Sequence, residues 1–145
     1  MINYDRLFEQ VKRHEGYRRT PYECSAGVLT VGYGRSLEVG ISEAEAALLL
    51  DFDLDGCIAK LNRVPEYQDI DDPARREVLI NLTFNIGYAG CMKFVKMWAA
   101  IGKEDWNEAA DQMLDSKWAT QVHGRATELA EIMRHGVAYY HKDND

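Results

Sequence analysis

The sequence predicts a mostly helical α+β protein with one small antiparallel sheet near its N-terminus. Three observations predict it. Apolar residues recur at helical spacing along most of the chain. One glycine-punctuated stretch, residues 17–40, carries strand formers instead. Capping signals of the Ser-x-x-Glu and Asp-Pro kinds stand where helical patterns begin. With 145 residues, a folded chain hides roughly 68% of the surface its unfolded form exposes, so its core needs no metal or disulfide.

The elements follow in chain order. Tyr4, Leu7, Phe8 and Val11 lie at i, i+3, i+4 and i+7, one apolar helix face. Asn3 suits its N-cap and Gly16 its left-handed stop, which gives a helix over about 4–14. Residues 17–35 read as the sheet, with Ser25-Ala26-Gly27 as a turn. On its second strand Leu29, Val31 and Tyr33 share one face. Thr30, Gly32 and Gly34 share the other, so Thr30 is expected to look away from the apolar side. Ser42 and Glu45 form a capping box. The helix behind it carries Leu50, Leu54, Ile58 and Leu61 on one stripe and reaches about Asn62, roughly 30 Å at 1.5 Å per residue. Asp72-Pro73 opens a helix through Val78, Leu79, Leu82 and Ile86 to Gly87. Shorter helices are expected over about 91–100, around Trp106 to Leu114, and over about 125–134 with Gly136 as the stop. Trp98, Trp106 and Trp118 fall among these apolar groups and read as core rather than as sugar platforms. The tail Lys142-Asp143-Asn144-Asp145 is polar and is expected to fray.

Composition excludes several classes. Apolar residues make up 46% and charged residues 28%, which sets aside disorder and disulfide-knot scaffolds. No apolar run approaches the length of a membrane span. The first residues show no basic segment followed by an apolar one, so no secretory signal is expected and the protein is placed in the cytoplasm. The net charge of −7 is uneven. Residues 1–20 hold five Lys/Arg and three acids, whereas residues 21–72 hold three and eleven. That acidic middle argues against a nucleic-acid groove, which needs clustered cations. Cys24, Cys57 and Cys91 are odd in number and show no Cys-x-x-Cys spacing, so free thiols and no metal centre are expected. Cys57 sits in a helical pattern and reads as core. His123, His135 and His141 read as surface or packing residues. No cofactor is expected.

Three residues carry candidate chemistry. Glu15 stands at the last turn of the first helix, where the negative end of the dipole disfavours a carboxylate, and a cleft around it would keep an acid protonated. Such a group can serve as a general acid. Cys24 and Thr30 follow at spacings of nine and fifteen, and a sheet folded back on the helix end brings all three to one mouth. Thr30 can hold a water, and Cys24 can orient or deprotonate it. A thiol has a reference pKa of about 8.5, so Cys24 acts as an ionised base only where Arg18, Arg19 or Arg35 lowers it.

These motifs resemble the bacteriophage lysozyme (endolysin muramidase) family. The resemblance rests on His14-Glu15-Gly16 and Thr30-Val31-Gly32-Tyr33-Gly34, then Arg75-Arg76 with Asn81-Leu82-Thr83-Phe84-Asn85-Ile86-Gly87. It continues through Trp106-Asn107-Glu108-Ala109-Ala110 and Ser116-Lys117-Trp118 with Gly124-Arg125-Ala126. It implies one lysozyme-like domain over residues 1–145. The small lobe would span about 15–60 and the helical lobe about 1–14 with 61–145, with a long connecting helix and a cleft between the lobes. It implies a monomer that hydrolyses the β-1,4 bond between N-acetylmuramic acid and N-acetylglucosamine in peptidoglycan glycan strands. Glu15 would be the general acid and Thr30 the residue beside the attacking water. Phe84 and Asn85 would meet the glycan, and Arg125 would reach back to orient Glu15. Many members carry Asp where this chain has Cys24. An inverting glycosidase sets its acid and base about 6.5–9.5 Å apart to leave room for water. The protein would accumulate in the host cytoplasm and reach the periplasmic wall through a separate pore.

Three other readings compete. A lytic transglycosylase needs one acid and no water-activating base. A thiol hydrolase would use Cys24 as nucleophile with His14 or His123 as base. A non-catalytic wall-binding module would need neither Glu15 nor Thr30.

Overall fold

The computed structural model describes residues 1–141, and the frayed tail expected at 142–145 lies outside them. The order is α1 (Tyr4–Glu15), β1 (Arg18–Glu23), β2 (Leu29–Gly32), β3 (Arg35–Ser36), α2 (Glu43–Leu61), α3 (Pro65–Gln68), α4 (Pro73–Met92), α5 (Val95–Gly102), α6 (Trp106–Leu114), α7 (Lys117–Val122) and α8 (Gly124–His135). A 3-10 segment, Gly136–His141, follows. Two compact units result, Met1–Leu48 and the chain from Leu49 onward. Among the described residues no single helix is long and apolar enough to cross a membrane.

In the first unit, Asn3 caps α1 by accepting from the Arg6 amide at 2.9 Å, and Gly16 ends it with φ +72°. The sheet runs β1-β2-β3, all antiparallel. The pairing of β1 slips between Arg18 and Tyr22, around Pro21. A proline offers no amide to a ladder and is tolerated on an edge strand or at a bulge. The register sets Tyr22 opposite Thr30 and Thr30 opposite Ser36. Directly opposed residues share a face, so these three form one row across the sheet. The apolar sides are the reverse of the expectation. Thr30 is buried, while Leu29 and Tyr33 are exposed. The face of α1 is likewise uncovered, and none of its residues is buried. Forty-eight residues supply too little chain to close a core of their own.

The capping box before α2 forms as read. The Ser42 amide donates to Glu45 at 3.0 Å, and the Glu45 amide donates to the Ser42 hydroxyl at 3.1 Å. The α2 stripe is graded rather than buried throughout, from an exposed Leu50 to a fully buried Leu61. Cys57, read as core, is only half-buried.

The second unit holds the core, with Val78, Leu79 and Leu82 of α4 packed among Met97, Ala109, Met113, Ala130 and Met133 of the later helices. Trp98 and Trp118 are buried as expected, whereas Trp106 is half-buried with the Arg75 guanidinium 4.4 Å from its ring centroid. Helix α4 passes its expected stop. Gly87 breaks the dihedrals at φ +82°, ψ +160°, and helical bonding resumes to Met92. The segments α3, α7 and the 3-10 turn were not read from sequence. At four to six residues each, they are too short to show a period. Asp72 ties both ends of this unit. It accepts from the Arg75 amide at the start of α4 and from the Val137 amide beyond α8, each at 3.1 Å.

Candidate active site

The alternation of the sheet builds a cavity in the first unit. Its volume is about 530 Å³, and Glu15, Tyr22, Cys24, Thr30, Ser36 and Glu38 stand around it. Side chains two apart on a strand point the same way. The row Tyr22, Thr30, Ser36 faces this cavity, and Cys24 and Glu38, just past the ends of β1 and β3, join its lining. Helix α1 ends at this mouth and delivers Glu15. Sequence reasoning brought Glu15, Cys24 and Thr30 here, but it missed Tyr22, Ser36 and Glu38. The strand register that sets Tyr22 and Ser36 beside Thr30 is not written in any one strand's pattern.

Glu15 is held by an absence of bulk. Its carboxylate rests against Gly34, where a β-carbon would come within 2.8 Å of Oε2. Gly34 also has φ +80°, a region that favours glycine.

Cys24 lies one residue past β1, in the turn rather than on the sheet itself. Its amide donates to the Val28 carbonyl at 2.9 Å, and its carbonyl accepts from the Gly27 amide at 2.9 Å. The thiol is held below its usual range. The largest cause is hydrogen bonding from the Val28 amide, followed by Ala26; desolvation opposes them. Two of the three expected helpers are otherwise engaged. Arg35 pairs with Glu45 at 2.6 Å, and Arg18 lies over the Tyr22 ring at 4.9 Å. The turn's own amides do what arginines were expected to do.

Thr30 donates its hydroxyl proton to the Val28 carbonyl at 2.9 Å. With that proton placed, the oxygen lone pairs are left to accept from a water.

The remaining site residues lie in the second unit. Phe84 on α4 is exposed. Asn85 is half-buried, and its Oδ1 accepts from the Trp118 indole at 2.7 Å. Arg125 donates from Nε and Nη2 to Asn81 Oδ1 at 3.0 and 2.6 Å. His123, His135 and His141 are exposed, and His135 lies 3.3 Å from Glu131. All three cysteines are free thiols.

Residues 12–135 match the model of the phage lysozymes. The chain is 29% identical to an endolysin of Acyrthosiphon pisum secondary endosymbiont phage 1, over 86% of this chain and 85% of that one. It is 27% identical to probable T4-type lysozyme 2 of Dictyostelium discoideum, over 94% of this chain and 98% of the relative. It is also 27% identical to the pre-baseplate central spike protein of Enterobacteria phage T4, over 90% of this chain but only 28% of that longer protein.

Proposed function

The chain belongs to the phage lysozyme family, muramidase-type peptidoglycan hydrolases, and from that premise we propose that it cleaves the β-1,4 bond from N-acetylmuramic acid to N-acetylglucosamine by an inverting acid–base mechanism. One observation carries this reading: Glu15, Cys24 and Thr30 stand around a single cavity. Glu15 donates its proton to the glycosidic oxygen as the bond to the anomeric carbon breaks. A water accepted by the Thr30 hydroxyl attacks that carbon from the opposite side. Its proton passes to the Cys24 sulfur, which the amides of Val28 and Ala26 draw toward the thiolate. The product carries a free reducing end.

Phe84 and Asn85 contact the glycan in this reading. Arg125 acts through its bonds to Asn81, which steady the helical turn before them. Residues 1–145 form one lysozyme-like domain acting as a monomer. We propose further that it accumulates in the host cytoplasm and reaches the wall through a separate pore.

Purified sacculi test the mechanism. Glu15→Gln should fold normally and clear no substrate, and retained clearing would discard the assignment. Mass spectra of the products separate the neighbouring chemistry, because a 1,6-anhydro end marks a transglycosylase and a free reducing end marks a hydrolase.

A further inference from the structure

Ser36 lies directly across the sheet from Thr30, and both line the cavity that holds Glu15 and Cys24. The Leu37 amide donates to the Leu29 carbonyl at 2.8 Å. Leu29 and Leu37 are therefore a hydrogen-bonded pair, and the next pair along, Thr30 with Ser36, is of the other kind. Such a pair brings its α-carbons to about 4.5 Å and its side chains closer than the pairs on either side. Tyr22 stands across the other edge of Thr30 in the wider kind of pair, because there the Cys24 amide donates to the Val28 carbonyl and the alternation runs the opposite way. Its hydroxyl sits at the far end of a ring that the Arg18 guanidinium covers at 4.9 Å. Thr30 is 5% exposed and Ser36 half-buried. Among the described residues, the Ser36 hydroxyl makes no hydrogen bond.

We propose that Ser36 is a further positioning residue of the reaction, its hydroxyl donating a hydrogen bond to the water that attacks the anomeric carbon. The inference rests on the muramidase reading. A water offers two protons and two lone pairs. In the mechanism above, one proton passes to the Cys24 sulfur and the other is donated to the Thr30 oxygen. One lone pair forms the bond to carbon. The second lone pair calls for a donor. Thr30 cannot supply it, because its single hydroxyl proton is directed at the Val28 carbonyl. Ser36 can, from the same face and the closest opposed position. A water placed about 2.8 Å from each hydroxyl spans a pair whose β-carbons stand about 4.5–5.5 Å apart. With Thr30 and Ser36 both engaged, the free lone pair has one direction left to point. Fixing the nucleophile in this way acts on the chemical step rather than on binding.

Clearing of purified sacculi, resolved into kcat and KM, tests the assignment. Ser36→Ala should lower kcat roughly two- to tenfold, the range of one neutral hydrogen bond, with KM and the thermal midpoint near the parent's. Ser36→Thr keeps the hydroxyl on the same β-carbon and should restore most of the rate. Ser36→Val has nearly the shape of threonine without the hydroxyl and should not. Parental kcat in both Ser36→Ala and Ser36→Val would overturn the proposal. So would equal losses in the threonine and valine variants, which would assign the effect to shape. A raised KM with unchanged kcat would make Ser36 a binding contact and overturn its role at the water. A larger kcat loss in Tyr22→Phe than in Ser36→Ala would move the donor to the tyrosine and overturn it too. Absence of cleavage by the unsubstituted enzyme would sink the muramidase reading and this inference with it, whereas parental rates in the serine variants sink the inference alone.

Discussion

The Glu15 carboxylate lies against the α-carbon of Gly34, so close that a β-carbon there would stand 2.8 Å from Oε2 and 3.3 Å from Cδ. The helix end and the sheet meet at this point, and the space for the acid is the space that glycine leaves empty. Gly34→Ala is expected to cost little folding stability from the clash, because the crowded atoms are the far end of a flexible side chain. The left-handed backbone adds roughly 1 kcal/mol. The acid itself must move. Displacement of a catalytic group by about 1 Å can cost on the order of a hundredfold in rate. The measurement pairs thermal unfolding with sacculus clearing. A kcat loss far larger than the stability loss is expected, and equal losses would show that Gly34 serves the turn alone.

Cys24 should titrate and react apart from the other thiols. Amides of the turn hold it low, whereas burial pushes Cys57 and Cys91 up. A thiol whose folded value is depressed contributes stability that is fully present above its unfolded value, about 8.5, and is lost as pH falls through the folded value. The difference in urea midpoint between the native chain and Cys24→Ser should therefore widen as pH rises from neutrality toward about 8.5. At neutral pH, iodoacetamide should label Cys24 first by peptide mass mapping, and activity should fall in step with that label. Labelling led by Cys57 would refute the assignment of low thiol pKa to the turn.

Period and punctuation made much of this legible. Asn3, Gly16, the Ser42–Glu45 box and Asp72-Pro73 marked helix ends that the structure keeps, because each supplies or removes a backbone partner locally. Spacing from Glu15 brought Cys24 and Thr30 to the site, whereas Tyr22 and Ser36 join it through the register between strands. What failed was non-local. Burial of Thr30 over Leu29 depends on what covers each face, and a strand's own pattern does not contain that. The depression of Cys24 comes from amides of a turn whose orientation has no side-chain signature.

Asn85 joins a structural role to a proposed substrate role, and one substitution separates them. Its Oδ1 accepts from the indole of Trp118, which is 5% exposed, while its amide N–H groups are the part left to meet a sugar. Asn85→Leu strands the indole donor and should cost about 1–3 kcal/mol, read as a lower midpoint in chemical denaturation. Asn85→Asp keeps an acceptor for Trp118 but removes both donors. That variant should hold its stability near the parent's and raise KM on sacculi. Equal stability losses in the two variants would show that Trp118 is not anchored through the Asn85 oxygen. An unchanged KM in Asn85→Asp would confine the residue to holding the tryptophan.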